Sequence, residues 1–362
     1  MTFSHYTCVV LLCRENDNND MKKQLGAVLA AFLMVSANAQ TIDLQKIKDY
    51  LPQVHGTIRG KYEYQTTNAT QRFQVRNARV SVDGKVVPDR VAYKAEIDLS
   101  DEGVIKMLDV YARVTPLKGL DVTVGQMRVP FTIDAHRSPH LQYFANRSFI
   151  AKQMGSLRDA GATVKYSNKE GLPFSVEAGL FNGSGLTQQK GWHKTLSYSA
   201  KLIANPFEGY NITLSTQRIR PTDNNVYMYD LGTYLDRNNW HFEVEAMYKR
   251  FAHTDFDNVW AVDAFVNYDL WIKKPKSMFK KVSFLGRFDY MGNNNDGKTD
   301  DNGALYITDH ERHRFTGGLT FSFGKPFQAD LRLNYEKYFY HDTSHAKESE
   351  QDKLVVEMMV RF

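Results

Sequence analysis

The sequence predicts an all-β chain, a transmembrane antiparallel β-barrel of about 16 strands with a long loop folded inward. Three observations carry this. Polar and apolar residues alternate over runs of about ten residues, the length a tilted strand needs to cross a bilayer. Tyr and Trp stand at the ends of the apolar faces, and the last run alternates up to Phe362. Successive strand side chains point to opposite faces, so each run has one polar and one apolar face. Strands of soluble sandwiches alternate too, but are usually about 5–6 residues long. Aromatic ends fit the two interfaces of a membrane.

Composition is consistent with crossing by strands. The chain has 362 residues, 42% of them hydrophobic, and a mean hydropathy of -0.48. A helical membrane protein needs apolar runs of about 20 residues. A barrel faces lipid only with alternate residues. With 46 Lys+Arg against 41 Asp+Glu, the net charge of +5 points to no polyanion-binding tail.

The one strongly apolar run begins after Met21-Lys22-Lys23, extends from Leu25 to Ser36, and ends at Ala37-Asn38-Ala39. A basic start, a short apolar core and an A-x-A site make residues 21–39 a secretory signal peptide, with the mature chain starting at Gln40 or Thr41. Residues 1–20 then read as an over-called N-terminal extension, with Met21 the true initiator. Both cysteines, Cys8 and Cys13, lie in that extension, so the barrel segment, residues 40–362, carries no thiol or disulfide chemistry.

The alternation is clearest at 54–65, where Val54, Ile58, Tyr62 and Tyr64 oppose Arg59, Lys61 and Glu63. Runs at 91–99 and 108–115 place Lys94, Glu96, Asp98, Asp109 and Arg113 on the polar face. In the second half, Trp240 to Tyr248 alternate with Glu243 and Glu245, and Trp260 to Tyr268 with Asp263. Arg287 and Asp289 oppose Phe284 and Phe288, and Arg312 and Arg314 oppose Phe315 and Leu319. Weaker runs lie near 72–83, 120–129, 160–167, 172–181, 195–205, 209–218, 226–237 and 327–340. Turn signals separate the runs at Asp83-Gly84, Asn182-Gly183, Asn205-Pro206, Asp223 to Asn225, Asn293 to Gly297, and Gly324-Lys325-Pro326.

The final run, Lys353 to Phe362, places Leu354, Val356, Met358, Val360 and Phe362 on one face. A terminal Phe on such a strand resembles the signal read by barrel-assembly machinery, an expected partner. Between Arg76 and Gly185 the chain resembles the phosphate-selective porin O and P family. The resemblance rests on Arg76-Asn77-Ala78-Arg79, Asp109-Val110-Tyr111-Ala112-Arg113, Gly125-Gln126-Met127-Arg128-Val129-Pro130-Phe131, Ala145-Asn146-Arg147-Ser148, Arg158-Asp159-Ala160-Gly161 and Leu180 to Gly185. It covers about a third of the chain. It implies a 16-stranded barrel in a Gram-negative outer membrane, usually a homotrimer, with basic residues on inward-folded loops.

Residues 130–160 break the strand rhythm, interrupted by Pro130, Pro139 and Gly155. Such length exceeds ordinary hairpin loops and marks functional segments. Irregular backbone is tolerated inside a water-filled lumen, so the segment is the candidate constriction loop. Its bases are Arg128, Arg137, Arg147, Lys152 and Arg158, beside His136 and His140, with Asp134 the acid among them and Asp159 following. A ring of bases lowers the barrier for anions. The bland reading is a surface loop that binds lipopolysaccharide phosphates or neighbouring subunits.

The lumen bases expected from alternation are Arg59, Lys61, Lys94, Arg113, Arg287, Arg312, Arg314 and Arg332. They face Glu63, Glu96, Asp98, Asp109, Glu243, Glu245, Asp263 and Asp289. This mixture points to a general hydrophilic pore for small anionic or neutral solutes rather than a strict anion filter. Asp134, His136 and His140 lack the ordered spacing of a metal site. No nucleotide motif or Ser-His-Asp order suggests a cofactor, a nucleic acid or catalysis. The rival from another class is a structural or adhesive barrel without an open channel.

Overall fold

The structure, a computed structural model, describes residues 50–87, 90–154, 157–220, 224–274, 276–324 and 328–362. The extension, the signal peptide, both cysteines, Gly155, Asp223 and Lys325-Pro326 lie outside the described residues. Sixteen strands follow in order: β1 Gln53–Gln65, β2 Thr70–Val87, β3 Val91–Asp101, β4 Val104–Leu117, β5 Leu120–Arg128, β6 Arg158–Asn168, β7 Phe174–Phe181 and β8 Ser197–Ala204. Then come β9 Tyr210–Ile219, β10 Val226–Arg237, β11 Trp240–Phe251, β12 Val259–Trp271, β13 Phe279–Met291, β14 Arg312–Phe323, β15 Gln328–Tyr340 and β16 Lys353–Arg361.

Each strand pairs antiparallel with its sequence neighbours, and β16 pairs back onto β1. Closure satisfies every ladder and leaves no edge, which hydrocarbon demands because it offers no hydrogen bonds. Phe362 lies one residue past β16 yet continues the pairing: Gly56 donates to its carbonyl at 2.8 Å, and its own N–H donates to Gly56 at 3.1 Å.

Burial is inverted relative to a water-soluble protein. Outward Val54, Leu231, Phe242, Trp260 and Leu354 are exposed, while inward Glu243, Asp289, Arg332 and Glu357 are buried. Two cross-strand aromatic pairs bound the apolar band. Trp240 packs on Tyr268 with ring centroids 4.6 Å apart, and Tyr248 on Trp260 at 4.7 Å. From Trp240 to Tyr248 the strand rises roughly 27 Å, close to the ~25 Å apolar band of outer-membrane barrels.

One turn expectation fails. Asp83-Gly84 lies within β2, and the chain reverses after Val87. Gly84 is there to leave room: it pairs with Tyr93 of β3, whose hydroxyl would lie 2.7 Å and whose ring 2.9 Å from any Cβ at that position. The other signals with described residues fall between strands.

The barrel ends differ. The turns after β4 and β10 are two residues long, at 118–119 and 238–239, whereas the opposite end carries 129–157, 182–196, 292–311 and 341–352. The first of these long loops enters the barrel.

Candidate pore constriction

The loop is launched by a strained stretch of β5. Gly125 sits at φ +132°, and a Cβ there would lie 2.3 Å from the Val110 carbonyl. This region is therefore open to glycine alone. Gln126 then donates at 2.6 Å to the carbonyls of Met107 and Leu108, and Arg128 to those of His136 and, at 3.4 Å, the Ser138 hydroxyl. The Gly-Gln-x-Arg-x-Pro-Phe stretch thus shapes the loop's stem.

From the stem the loop crosses to the wall formed by β8 to β11. Thr132 takes φ +59°, rare for a β-branched residue. Its N–H donates to Ser215 at 3.0 Å, and Lys201 donates to its carbonyl. Glu245 receives the N–H groups of Ile133 and Asp134. Arg137 pairs with Glu243 at 2.5 Å and stacks over Tyr143 and Phe265.

The loop then runs along β13 to β16 and β1. Asn334 receives the Ala145 N–H at 2.8 Å, Glu336 the Asn146 amide at 2.9 Å, and Asp289 the Phe149 N–H at 3.2 Å. Arg287 and Arg314 donate to the Asn146 and Arg147 carbonyls at 3.0 and 2.7 Å. A short helix, α1 (Phe149–Gln153), follows. Its Phe149 and Ile150 bury against Met228, Met247, Phe251 and Met291, all inward-facing. The lumen is therefore not polar throughout: near the long-loop end it turns apolar to seat this helix.

Inside the loop, Asp134 acts as a hub, receiving Ser148 N–H and Oγ at 3.0 and 2.9 Å. Burial alone would raise its pKa, but Arg147 and Arg137 hold it down at about 2. Arg147 donates to the carbonyls of Asp134 and Arg137. Burial lowers Arg147 to about 9 against the pull of Asp134, so it stays charged at neutral pH. Burial also pushes His136 well below its ordinary value, with Lys201 and Arg128 adding to the shift, and lowers His140 to about 4 with Arg361. Neither histidine adds charge near pH 7.

Leaning on the far wall, the loop leaves an opening of about 530 Å³ beside β1 to β4 and the start of β6. Ala135, Pro139, Gln142, Arg147, Ala151 and Lys152 line it from the loop. Arg59, Arg76, Arg79, Lys106 and Arg158 line it from the wall, with Asp98 and Asp101 as the acids. Seven bases thus meet two acids. Farther along the same wall, Lys85, Arg90, Arg113 and Lys118 line a second cleft of about 680 Å³ with Asp121.

The five bases expected at the constriction divide. Arg147, Lys152 and Arg158 line the opening; Arg137 is on the far wall, and Arg128 is held in the stem. Arg158 pairs with Asp109 at 2.6 Å and Lys152 with Glu350 at 2.9 Å. Among the expected lumen bases, Arg59 lines the opening while holding Glu357 at 2.6 Å. Lys61 pairs with Glu63 at 2.7 Å, Lys94 with Glu96 at 3.0 Å, Arg312 with Glu350 at 2.7 Å and Arg332 with Glu357 at 2.7 Å. Arg287 and Arg314 share Asp289 at 2.9 and 2.8 Å, and Arg113 lies in the second cleft. Alternation missed Arg76, Arg79 and Lys106. The first two stand in the Arg-Asn-Ala-Arg stretch already singled out, which was the available signal.

The sequence pattern of the family described as phosphate-selective porin O and P matches residues 53–254. The chain belongs to that family. It is thus a porin, a Gram-negative outer-membrane channel for small solutes. No curated protein matches it. Solved structures share its fold at low identity. The anion-selective porin from Comamonas acidovorans is 10% identical, covering 86% of this chain and 98% of its own, with a TM-score of 0.61. The outer membrane channel DcaP of Acinetobacter baumannii is 13% identical, covering 86% and 96%, at 0.56. The trimer form of OmpT, an outer membrane protein of Vibrio cholerae, is 11% identical, covering 86% and 98%, at 0.57. In this porin the Arg-Asp-x-Gly stretch opens β6: Arg158 faces the opening, and Asp159 receives the Gly183 N–H at 2.6 Å.

Proposed function

We propose that this porin passes small hydrophilic solutes by passive diffusion, prefers anions, and is gated in size and charge by residues 129–157. One observation carries the reading: seven basic and two acidic side chains line the opening beside the loop. Glu243, Glu245, Asp289 and Glu336 of the other wall are bonded to the loop itself. Although Arg59, Arg79, Lys106, Lys152 and Arg158 each pair with a carboxylate, Arg76 and Arg147 hold none among the described residues and leave the opening positive. In a narrow, poorly screened passage such an excess lowers the barrier for anions.

Processing at Ala39, assembly guided by Phe362 and association into a homotrimer with outer-membrane lipids and lipopolysaccharide around it complete the proposal. Reversal potentials in planar bilayers under a KCl gradient test it. Chloride should be the more permeant ion, with the preference shrinking as the Debye length falls below about 8 Å. A cation preference overturns the anion reading, and a silent barrel favours the structural or adhesive alternative.

A further inference from the structure

β2 carries one residue more than β1 can pair. Arg59 lies opposite Asn77 and Gly60 opposite Val75, so Arg76 between them has no partner in register. A bulge of this kind re-aims a side chain that strict alternation would send to the other face. Here Arg76 and Asn77, adjacent in sequence, both line the opening.

The other cations there are engaged. Arg59, Arg79, Lys106, Lys152 and Arg158 each hold a carboxylate at 2.6 to 2.9 Å. Arg147 is committed to two backbone carbonyls. Among the described residues, no hydrogen bond or ion pair is assigned to the Arg76 guanidinium. Its planar fork of donors, suited to carboxylate and phosphate oxygens, is open to whatever passes.

The space around it decides which anions fit. At about 530 Å³ the opening is within the range of clefts that take drug-sized ligands, roughly 300–1,000 Å³. A water occupies about 30 Å³, so a small inorganic anion crosses with its hydration shell. One open guanidinium is too little to replace that shell. An organic anion can place its charged group on Arg76 and lay its neutral body along Gln142, Ala135 and Pro139.

We propose that Arg76 is the transient docking point of this pore for organic anions bearing a carboxylate or phosphate group, and that inorganic phosphate is not specially retained. The proposal rests on the anion-channel reading above. It is tested with single channels carrying chloride, to which gluconate, glucose 6-phosphate or inorganic phosphate is added. The two organic anions should block the wild-type current at lower concentration than inorganic phosphate. Arg76→Ala should weaken that block by about threefold or more, the effect of one screened charge a few ångströms away, and Arg76→Lys should retain part of it. Flux of a neutral pentose through Arg76→Ala that does not fall below the wild-type rate confirms an intact barrel. Block by one organic anion alone, lost in Arg76→Ala, supports the site and names the group it reads. Equal block in wild type and Arg76→Ala, or tightest block by inorganic phosphate, overturns it. A cation-preferring wild type would instead remove the reading beneath it.

Discussion

On the wall from β9 to β15, the acids Glu243, Glu245, Asp289 and Glu336 face inward and are all bonded to the loop. On the wall from β1 to β4, Arg76, Arg79 and Lys106 line the opening with Arg147, Lys152 and Arg158. Arg59 beside them is bonded to the loop at Gln142 and Ala145, and of the others the Arg76 guanidinium alone has no assigned partner among the described residues. The barrel's total charge is nearly balanced, yet the passage is not. A charge held by an opposite charge or by a backbone dipole has its field largely cancelled locally, whereas Arg76, whose guanidinium has no assigned hydrogen bond or ion pair among the described residues, keeps its own at the opening. The proposed selectivity therefore rests on where the unspent charge lies, not on how many charges the lumen holds.

Removing the loop should erase the difference between the walls. With residues 133–153 replaced by a short Gly-Ser linker, conductance should rise, roughly doubling or more, and ion preference should fall toward unity, since the acids of the far wall then face water. Bilayer conductance and reversal potential check both. Unfastening the loop at one point should act less strongly. Glu245→Ala leaves the Ile133 and Asp134 N–H groups without their acceptor, a loss of about 1–3 kcal/mol per buried group, and should appear as open-channel noise and a larger mean conductance. Glu245→Gln should be milder because it keeps an acceptor.

A third test removes the same charge from each side. Arg147→Ala should lower the chloride-to-potassium permeability ratio by about two- to threefold. Arg137→Ala, far from the opening, should shift it less but add noise by freeing its end of the loop. Similar shifts in both variants would mean the walls do not differ electrically. The smallest effect is with pH. Asp134 titrates near about 2 in the folded loop, below its unfolded value of about 3.9. Its contribution is thus complete above about pH 4 and lost as pH falls toward 2. Channel noise from this group should be flat from pH 7 to about 4 and grow below it; Asp134→Asn should be noisy throughout.

The strands were legible because alternation is a local property: all sixteen fall where runs such as 240–249 and 353–362 place them. The departures come from long-range contacts. Gly84 reads as a turn residue but makes room for Tyr93 on the next strand. Met228, Met247 and Met291 occupy positions where alternation expects polar groups, because α1 needs an apolar seat. At the constriction, the basic composition of 128–158 was readable, but not which bases would be spent. Arg137 and Arg158 find carboxylates 106 and 49 residues away in sequence, beyond any local pattern. Arg76 was hidden by a bulge that no periodicity reveals.

The central claim is that the loop is fastened along β8 to β16 and touches β1 through Arg59 and Lys61, leaving the passage beside β2 to β4. Single cysteines test it in a background with Cys8 and Cys13 changed to serine, probed by a charged methanethiosulfonate reagent during bilayer recording. Ser100→Cys lines the opening, whereas Thr213→Cys is buried on the far wall. The reagent should react with the former and lower its current, and leave the latter untouched. Reaction at position 213 with none at position 100 would place the passage on the wrong side of the loop and contradict the account.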